Sequence, residues 1–411
     1  MSVQPMEPFF KEIKEPIELA MTGNYAVAGG VTQTDPDVIC AFPITPQTQS
    51  VEGLSDVIYN GRLKAAFVNV ESELAAMSFS TAACASGART FTATASQGYM
   101  LMMEALPMAV GWRVPLTMLI SARAFNAPNL SIWNAWEFTL ADLGWNTIVA
   151  ENVQETYDNS IISVMIAEKT LFPTMFVHDG FIISHAVHKF ITLADEQVRK
   201  LTPQLKRHVI TPEKPGLWGS LVTPEQLMEQ RLAIDLAKKE VPPKIDEAFK
   251  EFGKETGRYY NQIETNKCDG AKVAIISMGS VCGNIASWQD KNPGIGLIKI
   301  RTYRPFPTFQ LRKIIEDCGI EKVAIIEKFD APGAPLAQVG SSVIPALYPL
   351  GIPIKDFIAG YGGRDITKDE FDLIKRKMDK VTGIPSQFYE YIGVRESKGK
   401  LWDPNPMEVS K

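Results

Sequence analysis

Residues Leu63–Gly111 read LKAAFVNVESELAAMSFSTAACASGARTFTATASQGYMLMMEALPMAVG. Two short apolar runs in this stretch, Leu63–Val70 and Arg89–Ala95, have the length and composition of strands. Each is followed by helix formers: Glu73–Ala88, dominated by very small residues, and Met100–Gly111. Strands this short and uniformly apolar, alternating with helices, predict a parallel sheet covered on both faces. The same rhythm extends outward. Upstream, a small-residue helix at Tyr25–Gly30 precedes the strand Asp37–Phe42, which Pro43 and Pro46 stop. Downstream lie strands at Pro115–Ser121, Asn146–Glu151 and Pro173–Gly180. The first domain is therefore placed at 21–195, after an N-terminal extension, 1–20. A connector follows at 196–264, rich in Pro and Gly at first. It then becomes helical from the Thr223 N-cap with Pro224 at the first helical position, and continues as a charged arm at Lys244–Gly257 that braces the domains or a partner chain. A second α/β domain, 265–385, has strands at Lys272–Gly279, Ile295–Ile300, Glu321–Lys328 and Ile352–Gly360, an open parallel sheet of four or five strands. A tail, 386–411, closes the chain.

The 411 residues are 45% hydrophobic, enough for two or three domains of roughly 100–200 residues each. The net charge of −5 argues against nucleic acid and an anionic membrane surface. The first residues hold no continuous apolar run of the kind a secretory signal needs. The most apolar long stretch, Leu101–Ile120, is interrupted by Glu104, Pro107, Arg113 and Pro115, so no membrane span is expected and the cytoplasm is the default location. Cys40, Cys84, Cys268, Cys282 and Cys318 form no CxxC and match no metal spacing, so they read as reduced thiols. Electron-transfer clusters, if the reaction uses them, belong to another chain. His178–Phe181 and Ser184–His188 imitate a metal cluster but read as structural or interface residues, and no metal site is expected.

Three polar groups follow apolar strands, where ligands sit in open α/β sheets. Thr45, between Pro43 and Pro46, is either a hydroxyl offered to a substrate or a threonine in a rigid turn. Glu71 and Glu73 precede the alanine-rich helix, where a carboxylate either caps the helix or enters a dry pocket. Arg123 presents a fork suited to a carboxylate or to an ordinary salt bridge. Between them Ser96, Gln97 and Gly98 form a strand-to-loop transition able to approach a flat ligand. No GxGxxG follows the first strand, and there is no Walker A sequence and no GDG-type diphosphate motif.

Taken together, TGNYAVAGG, FPITPQTQSVE, VNVESELAAMS, ASGARTFTATASQGYMLMMEAL and SARAFNAP, continued by DLGW, VQETYDN, DGFIISH, RPFP and GYGGRD, resemble the alpha subunit of pyruvate and related 2-oxoacid:ferredoxin oxidoreductases. The blocks cover most of residues 22–190 and 271–366. The resemblance implies a thiamine-pyrimidine-binding open parallel-sheet domain followed by a transketolase C-terminal-like domain. It also implies thiamine diphosphate shared with a beta subunit that binds the diphosphate and Mg²⁺, which accounts for the missing GDG motif. Glu73 matches the carboxylate that hydrogen-bonds the aminopyrimidine. Thr45 and Arg123 match the positions that hold the substrate, and Phe42, Pro43, Ser96, Gln97 and Gly98 match further cofactor contacts. Gamma and ferredoxin-like delta subunits would be partners, with [4Fe–4S] clusters on partner subunits, coenzyme A would take the acyl group, and ferredoxin would accept the electrons. If NAD⁺ is the acceptor, a partner would carry FAD. Other thiamine enzymes of the transketolase kind would need a diphosphate motif in the same chain, and a noncatalytic scaffold would tolerate loss of Glu73.

One stretch departs from the family. Ser131–Trp145 reads SIWNAWEFTLADLGW, with Trp133, Trp136 and Phe138 where a mostly polar loop is common and Ala141 in an arginine's place. Retention of Thr45 disfavours the oxalate branch. Trp133 and Trp136 are expected to line a pocket for a flat acid, which makes phenylglyoxylate, giving benzoyl-CoA, the favoured substrate, with pyruvate or a branched 2-oxoacid as the alternative; aromatic residues that pack a subunit interface instead would remove the preference.

Overall fold

The computed structural model describes residues 5–125, 130–140, 142–383 and 389–395. Ala141, Asn126–Asn129 and all of the tail except 389–395 lie outside them. In the first part of the chain the strands are β1 (Glu18–Thr22), β2 (Val38–Ala41), β3 (Ala66–Asn69), β4 (Thr90–Thr94), β5 (Thr117–Ala122), β6 (Asn146–Val149), β7 (Thr174–Asp179) and β8 (Val187–Ile191). The helices there are α1 (Gly23–Gln33), α2 (Thr48–Tyr59), α3 (Glu73–Ala85), α4 (Ser96–Leu101), α5 (Leu106–Gly111) and α6 (Val153–Thr170). β9 (Ile263–Asn266), β10 (Val273–Ser277), β11 (Ile295–Ile300), β12 (Thr302–Arg304), β13 (Lys322–Glu327), β14 (Ile354–Ile358) and β15 (Tyr389–Tyr391) follow.

The large sheet has the order β12-β6-β7-β5-β4-β2-β3 and is parallel except for β12, which runs antiparallel to β6. From β2 the chain first goes outward to β3 and then crosses back to β4. The β2/β4 boundary is thus a switch point, and in open α/β sheets the crevice beyond the strand carboxyl ends at such a point takes the ligand. Every residue of β4, β5, β6 and β7 is buried, as expected of strands covered on both faces.

The second sheet has six strands, β15-β14-β13-β10-β11-β9, one or two more than the sequence pattern predicts. β9 and β15 are short edge strands of four and three residues, and β9 pairs antiparallel to β11. The N-terminal segment also differs from the free extension expected. Met6, Phe9 and Ile13 are buried, and the Phe9 ring lies where a Cβ on Gly29 of α1 would come within 2.2 Å of it. β1 then pairs with β8 as a separate two-stranded ribbon.

In the connector, α7 (Asp195–Leu201) leads by an extended run to α8 (Pro224–Lys239) and α9 (Val241–Thr256). α8 has no buried residue, whereas α9 buries Val241, Ile245, Ala248, Phe249 and Phe252. Beyond α9, Arg258 and Tyr260 reach Asp158 of α6 at 2.6 Å each, so this part of the connector braces the first domain.

Two buried ionic clusters join the domains. Glu155 of α6 meets Lys299 at 2.6 Å and Arg301 at 2.7 Å, and Arg301 also reaches Glu264 at 2.7 Å. Asp179, at the end of β7, meets Lys328 at 3.1 Å and accepts from the Ser280 N–H at 3.0 Å. Burial pushes the Asp179 carboxyl up, but Lys328 and its hydrogen bonds outweigh that and hold it below the usual carboxylate range. Among the described residues no helix is long and apolar enough to cross a membrane, and no group of three His, Cys, Asp or Glu is arranged to hold a metal. None of the five cysteines is in a disulfide.

Candidate active site

The loops after β2, β3, β4 and β5 converge at the switch point. Ser72 caps α3, its hydroxyl accepting from the Ala75 N–H at 3.2 Å. With that task taken, neither glutamate serves as the cap residue. Glu71 is exposed, and Glu73, in the first turn of α3, is buried at 7% exposure. The Glu73 carboxylate lies against Gly98 of α4, where an added Cβ would sit 2.5 Å from Glu73 Oε1 and 2.6 Å from Thr94 Oγ1. Only glycine fits between this carboxylate and the α4 backbone. Among the described residues no hydrogen bond is made to Glu73, and the Thr94 hydroxyl beside it is buried without a partner. A carboxylate so placed, largely screened from water and without a protein donor, is positioned to accept a hydrogen bond from a ligand.

Arg123 stands at the end of β5, 4% exposed. Its Nη1 donates to the Thr45 carbonyl at 2.7 Å and its Nε to the Ser131 carbonyl at 2.9 Å. Burial lowers the guanidinium pKa and Glu137 raises it, with burial prevailing. The same hydrogen bond anchors the exposed Thr45, while the Asn24 amide donates to the Pro46 carbonyl at 2.7 Å to fix the next residue. Phe42 is half-buried and Pro43 exposed on this loop.

Ser96 opens α4 with φ +47°, a left-handed conformation that costs a non-glycine residue about 1–2 kcal/mol. Its hydroxyl donates to the Ala124 carbonyl at 2.7 Å and its N–H to Glu137 Oε1 at 2.9 Å. Glu137 also accepts from the Arg123 N–H, at 2.9 and 2.8 Å on its two oxygens. It is fully buried, and burial pushes its carboxyl up to about 8 against the pull of those amides.

The sequence reading did not single out Glu137. The available signal was an acidic residue flanked by Trp136 and Phe138, since a charge in so apolar a stretch is buried only when partnered.

The aromatic loop requires a correction. Trp136 is fully buried and donates its indole N–H to Asp179 at 2.9 Å, beneath Lys328, so it serves the domain junction and does not line a pocket. Phe138 is buried edge-on against Tyr303 of the second domain. Trp133 alone stays half exposed, 4.7 Å from the Phe181 ring, which in turn stacks on His185. His178 is fully buried and 2.6 Å from the Ser121 hydroxyl, and burial pulls its pKa to about 3, so the ring is neutral and structural.

A buried carboxylate at the switch point of a parallel sheet, followed by a second α/β unit, marks a two-domain α/β protein with its ligand crevice beyond the carboxyl ends of β2 and β4. Residues 29–250 match the family described as pyruvate flavodoxin/ferredoxin oxidoreductase, thiamine-diphosphate-binding, and residues 271–371 match pyruvate:ferredoxin oxidoreductase core domain II. The chain is 37% identical over 404 residues to a pyruvate synthase subunit PorA of Pyrococcus abyssi, covering 93% of this chain and 99% of the relative. It is 36% identical to a ketoisovalerate oxidoreductase subunit VorA of Pyrococcus horikoshii, covering 89% and 95%. Among solved structures, a 2-oxoglutarate:ferredoxin oxidoreductase from Magnetococcus marinus shares the fold with a TM-score of 0.64 at 18% identity, over 89% of this chain and 65% of that one. A split-gene transketolase superposes with a TM-score of 0.51 at 9% identity, over 88% and 98%. The chain belongs to the pyruvate:ferredoxin oxidoreductase family, as an alpha-type subunit of a 2-oxoacid oxidoreductase that acts with partner subunits.

Proposed function

We propose that this subunit supplies the pyrimidine side of a thiamine diphosphate site and the substrate-holding residues of a CoA-acylating 2-oxoacid:ferredoxin oxidoreductase. The observation that carries the reading is the buried Glu73 carboxylate, unpaired within the described residues and separated from α4 by a glycine alone. Such a group fits the ring nitrogen of an aminopyrimidine, with which it can share a proton in a dry surround. Bound thiamine diphosphate supplies the nucleophile and the electron sink for loss of CO2. Ser96, Gln97 and Gly98 would let the ring approach the α4 backbone, and Phe42 and Pro43 would supply further contacts to it. Arg123, held by two backbone carbonyls, keeps a fixed cation for the carboxylate of the 2-oxoacid, and the Thr45 hydroxyl offers a donor to its carbonyl. A beta subunit grips the diphosphate and Mg²⁺. Gamma and ferredoxin-like delta chains complete the assembly, the iron–sulfur clusters lie on partner subunits, and FAD is needed only where NAD⁺ replaces ferredoxin.

The substrate is a small aliphatic 2-oxoacid, pyruvate or a branched one such as 2-ketoisovalerate. Two facts replace the earlier preference for phenylglyoxylate. Trp136 has no face open to a ligand, and the close relatives named above are pyruvate and ketoisovalerate enzymes.

In the assembled complex, Glu73→Gln is expected to leave assembly intact and to cut decarboxylation roughly 100-fold or more. Normal turnover by an intact variant complex would refute the assignment.

A further inference from the structure

We propose that Glu137 is a positioning residue, whose buried carboxyl ties the first turn of α4, Ser96–Gly98, to the backbone of Arg123 and so sets the Glu73 side of the site against the Arg123 side. The inference rests on the roles given above to Glu73 and Arg123.

The geometry is specific. One oxygen of Glu137 accepts both the Ser96 N–H and the Arg123 N–H, at 2.9 Å each. Those amides belong to different segments, the start of α4 that follows β4 and the loop that follows β5. Ser96 is held left-handed there, and relaxation of its backbone would carry Gly98 away from the Glu73 carboxylate. Arg123 likewise starts from the tethered amide and ends at the Thr45 carbonyl, so its guanidinium is fixed at both ends. A shorter side chain at 137 withdraws the shared acceptor from both segments at once, and displacements of about 1 Å in such a site cost on the order of 100-fold in rate.

The charge state of Glu137 adds a readout that a purely structural role would not move. The ionisable groups facing it are Arg123 from β5, Tyr99 from α4 and Tyr361 from the second domain. Burial drives Tyr99 well above its ordinary value and Tyr361 to about 12, so both stay neutral below pH 9. Glu137 is protonated at neutral pH and ionises near pH 8. Once ionised, it offsets part of the Arg123 charge that attracts an anionic substrate.

The test uses the complete complex with its partner subunits and the 2-oxoacid that the wild type turns over. Measured are kcat and KM from pH 6.5 to 9.5, melting temperature and thiamine diphosphate affinity. Glu137→Asp is expected to assemble, bind thiamine diphosphate and lose roughly ten- to 100-fold in kcat/KM. Glu137→Gln, which keeps the acceptor oxygen and cannot ionise, is expected to restore kcat/KM at pH 7 to within about threefold of wild type. The wild type is expected to show a rise in KM, on the order of tenfold, above pH 8, and Glu137→Gln is expected to abolish it. The proposal is overturned by wild-type kcat/KM in folded Glu137→Asp, by a wild-type pH profile in Glu137→Gln, or by failure of both variants to assemble. Glu73→Gln, assayed alongside, separates the two readings. If it is active, the site assignment fails. If it is inactive while Glu137→Asp is normal, only the role of Glu137 fails.

Discussion

Replacing Glu155 by glutamine tests the energetics of the domain junction. Its carboxylate sits in the first turn of α6 and accepts from the Glu151 N–H at 2.7 Å, besides pairing with Lys299 and the fully buried Arg301. Burial alone would push this carboxyl up, yet Arg301 and then Lys299 outweigh it and hold it at about 2, against an ordinary 4.5. At about 1.4 kcal/mol per pKa unit, that displacement corresponds to ~3 kcal/mol of stability at neutral pH. Removing one member of a buried ionic cluster costs about 3–5 kcal/mol in general, which agrees. The folded-state value lies below the unfolded one, so the stabilisation is complete above about pH 4.5 and is lost as pH falls towards 2. Urea denaturation of the full chain at pH 7, followed by circular dichroism, should show Glu155→Gln destabilised by about 3–5 kcal/mol. At pH 3 the gap between the two proteins should have narrowed. A loss under about 1 kcal/mol at pH 7, or a gap unchanged by acid, would refute the argument.

Gly98→Ala places a methyl group where Glu73 Oε1 and Thr94 Oγ1 now lie. Turnover of the assembled complex is expected to fall roughly 100-fold with little change in melting temperature, and wild-type kinetics would show that the carboxylate can move aside at no cost. Trp136→Phe removes the indole donor to Asp179 and is expected to cost about 1.5–3 kcal/mol in a denaturant melt while leaving the ratio of kcat/KM between two 2-oxoacids unchanged; a shifted ratio would return Trp136 to the pocket. Phe9→Ala empties the space against Gly29 and is expected to destabilise the chain by about 3–5 kcal/mol in a urea titration, whereas a free N-terminal extension would give no change.

The parallel sheets were legible because strands covered on both faces must be apolar runs, and β5 and β7 are buried from end to end. What escaped were short edge strands such as β9 and β15, too brief to leave a periodic signal, and the burial of Phe9 against Gly29 of α1, which no pattern within the first twenty residues announces. The choice between Glu71 and Glu73 was undecidable from spacing. It turns on Ser72 taking the cap and on which carboxylate then faces Gly98. Trp136 and Glu137 were misread or missed for a shared reason. Neighbours in sequence made the loop look like an aromatic wall, while the contacts that define the two residues, Asp179 at the end of β7 for one and the Ser96 amide of α4 for the other, come from elsewhere in the chain.

β12 belongs by sequence to the second unit, yet its three residues complete the border of the first sheet by pairing with β6. A cut anywhere in the connector would leave β6 with a bare row of backbone donors and acceptors, open to mispairing between molecules. The two segments recognised separately as family units are therefore poor candidates for expression as independent pieces. Exchanges of substrate-binding parts among relatives would have to carry residues 302–304 with the N-terminal half or keep both halves from one parent.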